Sequence, residues 1–107
     1  MRFYLFAALL SSTLNLQAAE LTTEIKVSLV EDDSSECLAN DGKLILLKSD
    51  ASETMVVWLD RWFMGMQTAD HTKHVIQPGD EPIALGCSVT RDKEKQGWTI
   101  ASTSPQP

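Results

Sequence analysis

Residues 54–66 read TMVVWLDRWFMGM, and the rest of the chain is organised around them. This is the longest apolar run after the N-terminal leader. It holds Trp58, Trp62 and Phe63, three of the four aromatics outside that leader. Branched and flat side chains of this kind suit a pleated surface, so the stretch is expected to form a central strand, with Gly65 marking a bulge or tight bend. One face would carry Val56, Trp58, Asp60, Trp62, Met64 and Met66. The other would carry Met55, Val57, Leu59, Arg61, Phe63 and Gly65. Both are apolar except at Asp60 and Arg61, where the strand is expected to pass from core to exposed corner. Arg61, Trp62 and Met64 at that corner are the candidate protein contacts. Trp and Arg dominate interface hot spots, and contiguous exposed apolar surface marks binding sites.

Upstream, residues 21–30 alternate, with Ile25, Val27 and Leu29 on one face, as in a half-buried strand. Residues 31–36, EDDSSE, break it with turn-forming and mutually repelling side chains. Their spacing does not match a calcium loop, which also needs a glycine. Asp41-Gly42 is a hairpin signal. Residues 43–48, KLILLK, continue as a strand with four apolar residues in a row.

Downstream, residues 67–72 read as a loop and 73–77 as a short strand. Pro78-Gly79 is a turn. In residues 82–90, Ile83, Leu85, Cys87 and Val89 alternate with smaller residues, which places Cys87 on the apolar face. Residues 91–97 form a charged hairpin loop. The last strand is 98–101, with Trp98 and Ile100 inward, and the end of the chain reads as a disordered tail.

Arg2, the apolar run FYLFAALL at 3–10 and the small residues Ala18-Ala19 make residues 1–19 a secretory signal peptide. The run is too short to span a bilayer, and the lipidation-like Ala84-Leu85-Gly86-Cys87 has no leader before it. Cleavage leaves about 88 residues, enough for one modest core, with the β-domain at 20–102 and the tail at 103–107. Eight basic against fifteen acidic residues then leave a net charge of −7. That disfavours nucleic acid and anionic membranes and permits a basic protein partner.

An exported chain with only Cys37 and Cys87 is expected to pair them. The expected fold is therefore all-β: a small immunoglobulin-like sandwich of six or seven short antiparallel strands with one disulfide. An early and a late cysteine with Trp58 between them resemble the Cys–Trp–Cys arrangement of immunoglobulin domains. The likeness is one of architecture only. The mature chain has no tyrosine, so the tyrosine corner is missing.

No GxSxG elbow, phosphate-cradling glycine loop or CxxC pair is present, so no enzyme and no cofactor are expected. The leading expectation is a periplasmic or secreted protein-binding domain of inhibitor, immunity or envelope-assembly type, with no insertion in a membrane. The alternative is a copper-binding protein using Met64, Met66, His71 and His74, since thioether and imidazole together suit copper.

Overall fold

The computed structural model describes residues 26–107. The expected signal peptide, residues 1–19, lies outside the described residues. The elements are β1 (Val27–Asp32), a short helix α1 (Ser35–Ala39), β2 (Leu44–Ser49), β3 (Met55–Phe63), β4 (Met66–Ile76), β5 (Ile83–Cys87) and β6 (Gln96–Pro105). They form two antiparallel sheets of three, ordered β1-β2-β5 and β4-β3-β6. The expected all-β class and the Cys37–Cys87 disulfide are both present. Among the described residues no helix is long and apolar enough to cross a membrane.

One core holds the sheets together. Val27 and Leu47 supply it from one layer, and Met55, Val57, Leu59 and Ile76 from the other. Leu29, Ile83, Leu85, Trp98 and Ile100 pack around them. On β3 the buried residues are those at alternate positions, Met55, Val57 and Leu59, because successive side chains of a strand point to opposite faces. The inward placing of Trp98 and Ile100 agrees with the sequence.

The reading of residues 54–66 as one strand needs correction. β3 stops at Phe63, and Met64-Gly65 is a two-residue turn, with Phe63 paired to Met66 across it. Both turn residues have positive φ, 51° at Met64 and 80° at Gly65. That handedness matches the twist of the flanking strands. β4 then runs back through residues 67–72, which had read as a loop. It is an edge strand exposed along most of its length, so no hydrophobic alternation marks it.

Two further segments differ. Residues Ser35–Ala39, within and just after the acidic break, form a helix of five residues. Asp41-Gly42 closes that helix rather than a hairpin: Asp41 N–H bonds to Leu38 O at 3.0 Å and Gly42 N–H to Cys37 O at 2.9 Å. With Asp41 at φ 66°, this is a Schellman ending. At the other end of the chain, β6 continues through Thr103 to Pro105, paired with Val57 to Met55, where a disordered tail was expected.

Cys87 also lies on an unexpected face. Ile83 pairs with Leu47 and Ala84 with Leu46, but Gly86 pairs with Ile45 and Cys87 with Leu44, leaving Leu85 as an extra residue. Directly paired residues share a face. The bulge therefore turns Cys87 away from the core and toward α1, so the disulfide joins helix to strand within one layer. It does not bridge the two sheets as the disulfide of an immunoglobulin domain does.

Gly86 makes this bulge possible. Its φ is 151°, a region that side chains other than glycine's rarely occupy. A methyl group there would lie 3.1 Å from Cη2 of Trp98. Gly86→Ala is therefore expected to destabilise the fold by about 2 kcal/mol, combining backbone strain with overpacking. Urea unfolding followed by indole emission measures it, and an unchanged midpoint would contradict this account of the bulge.

Candidate functional site

The β4-β3-β6 sheet ends at the Met64 turn. The last fully buried residue of β3 is Leu59; from Asp60 to Phe63 the strand is half-buried. Two bulges shape this end. Asp60 pairs with His71 but Trp62 with Gln67, so Thr68, Ala69 and Asp70 all face Arg61. On the other side Trp58 pairs with Ser102 and Leu59 with Ile100, leaving Ala101 extra.

The three predicted contacts do not form one patch. Arg61 points to the inner face, where its Nε donates to Asp70 at 2.7 Å and its Nη1 to the Gln96 side-chain oxygen at 3.2 Å. Its guanidinium also lies 5.9 Å from the centre of the Phe63 ring. Gln96 in turn donates to the Cys87 carbonyl oxygen at 2.7 Å. Arg61 therefore helps tie β6 to β5 and close this end of the sandwich.

Trp62 points to the outer face, and its Nε1–H donates to Thr99 Oγ1 at 2.9 Å. Met64 occupies the turn itself. Met64 is 57% exposed and Met66, across the turn, 74%. The turn is held in place by a hydrogen bond from Met64 N–H to Lys95 O at 2.8 Å.

The outer face holds a group that sequence reasoning missed. The Trp58 indole and His71 imidazole stack with centroids 4.7 Å apart and planes 13° apart. The Asp60 carboxylate accepts from His71 Nδ1–H at 2.6 Å. Two contacts thus fix the imidazole plane. Only the β3–β4 register brings these residues together, and a segment read as a loop gave no sign of it.

The proposed metal ligands are divided. His71 and His74 take opposite faces of β4, as their odd separation in a regular strand requires. His74 hydrogen-bonds Thr72 Oγ1 at 3.1 Å. Met64 is in the turn, and Met66 pairs with Phe63. Among the described residues no three His, Cys, Asp or Glu side chains gather as a metal site would need.

No protein-family model, curated protein or solved structure matches the chain.

Proposed function

We propose that this chain is an exported, non-enzymatic domain that binds another protein through the hairpin end of β3 and β4. The observation that carries the reading is Met64. A long apolar side chain stands exposed at a positive-φ position, where asparagine or glycine would cost less. Backbone strain of this kind collects at functional sites. Met66 beside it adds a second flexible thioether, a side chain suited to adaptable contact. Trp62 lies next to the turn on the outer face.

Export rests on the leader at residues 1–19 and on an oxidising compartment, with which a disulfide is compatible. A periplasmic or secreted location follows. Two antiparallel sheets around one core support an immunoglobulin-like reading of the sandwich, although the disulfide lies within one layer.

The test separates stability from binding. Met64→Asn is expected to raise Tm by roughly 2–5 °C by relieving the turn. It is also expected to lower recovery of the partner that wild-type protein captures from periplasmic or secreted extract. Trp62→Ala should lower recovery without that stabilisation. Undiminished recovery by a folded Met64→Asn variant would remove the hairpin end as the contact.

A further inference from the structure

Beside the hairpin end, the sandwich is open between the edge strands β1 and β6. A groove of ≈ 280 Å³ lies there, lined chiefly by Leu29, Glu31, Ile45, Ser88, Gln96 and Trp98, with Val30 and Gly97 also among its walls. Its position follows from the pairing: Gly97 pairs with Trp62 and Trp98 with Arg61. Two of its lining residues are thus strand neighbours of Arg61 and Trp62, near the end proposed to meet a partner.

The lining has a distinct chemistry. Leu29, Ile45 and the Trp98 indole make it apolar, and among the described residues Glu31 is the only charged one in its lining. Glu31 takes part in none of the ion pairs among the described residues. The neighbouring Asp33 hydrogen-bonds Lys43 and is the main cause holding that ammonium above the usual lysine range, with smaller contributions from the charges of Glu31 and Asp32 beside it. A carboxylate lining an aromatic groove, with no ion-pair contact among the described residues, on a domain of net charge −7 after leader removal, is complementary to a long cationic side chain. Arginine fits best, because its planar guanidinium both stacks on indole and pairs with a carboxylate.

We propose that this groove receives an arginine side chain of the partner protein. Its aliphatic stem lies along Leu29 and Ile45, and its guanidinium rests against Trp98 and pairs with Glu31. The inference rests on the reading of this end as a protein contact, and the test distinguishes the two. A peptide probes the groove with no partner present, so its failure leaves the Met64→Asn experiment standing.

The experiment titrates ¹⁵N-labelled protein with the capped tripeptide Gly-Arg-Gly and follows amide and indole resonances. Saturable shifts are expected at the Trp98 indole N–H and at the Gly97 and Ser88 amides. The same peptide with citrulline, neutral but nearly the same shape, is expected to give none. Glu31→Gln should weaken the arginine peptide about threefold to fivefold. Because Glu31 is exposed, that variant should keep its unfolding midpoint. Equal shifts with citrulline, shifts centred elsewhere, or unchanged affinity in Glu31→Gln would each overturn the proposal.

Discussion

Replacing Cys37 and Cys87 together by alanine is expected to lower the unfolding free energy by about 4 kcal/mol. The bond joins residues 50 apart in sequence, and on the chain-entropy account a loop of that length restricts the unfolded chain by about this amount. A domain of this size has a net stability of only about 5–15 kcal/mol, so the loss would be a large share of it. The folded state should change as well. Cys37 is the only buried residue of α1, and Leu38 beside it is 48% exposed. Once the sulfur link is gone, a five-residue helix has too few internal hydrogen bonds to persist alone. Urea unfolding gives the stability change. Hydrogen exchange at the Asp41 and Gly42 amides, which close the helix, reports its release. Slow exchange there in the double variant would show that α1 is held by something other than the disulfide.

Leu47→Ala and Leu59→Ala should each cost about 3 kcal/mol. Leu47 is 0% and Leu59 1% exposed, and they enter the core from opposite sheets. Removing either leaves a cavity that paired strands cannot collapse into without breaking hydrogen bonds. Because both belong to one cluster, the double variant should depart from the sum of the two losses. Leu38→Ala, on the exposed side of α1, is the control and should stay within about 0.5 kcal/mol. Denaturant midpoints for the four proteins decide the matter. A Leu59→Ala cost as small as that of Leu38→Ala would mean that the sheets do not share a close-packed core.

The layout of the fold was legible wherever one face of a strand is buried. Val27 and Leu29, the run LILL at 44–47, and Met55, Val57 and Leu59 all announce themselves by pattern. The candidate contacts were legible only in part. Trp62 and Met64 are where an apolar run meets solvent, as expected. Arg61, one residue from each of its charged and aromatic neighbours, is drawn instead into the contacts with Asp70 and Gln96. Nothing local distinguishes an arginine that binds a partner from one that closes a sandwich. The stacking of His71 on Trp58 was hidden for a related reason, since it joins residues distant in sequence.

Composition and local pattern by themselves determined that the chain is β-structured, that a turn falls at Pro78-Gly79 and, with only two cysteines, which residues are joined. Only the tertiary structure decided which face each residue takes beyond a bulge and where β3 reverses. Strand alternation has a period of two, so a single extra residue, such as Leu85 or Ala101, reverses the facing of everything after it. Such an insertion costs little locally, and at Ala101 no glycine marks it, as Gly86 marks the one at Leu85. It is selected by packing between the sheets, which turned Cys87 toward α1 and left the Met64 turn standing in water.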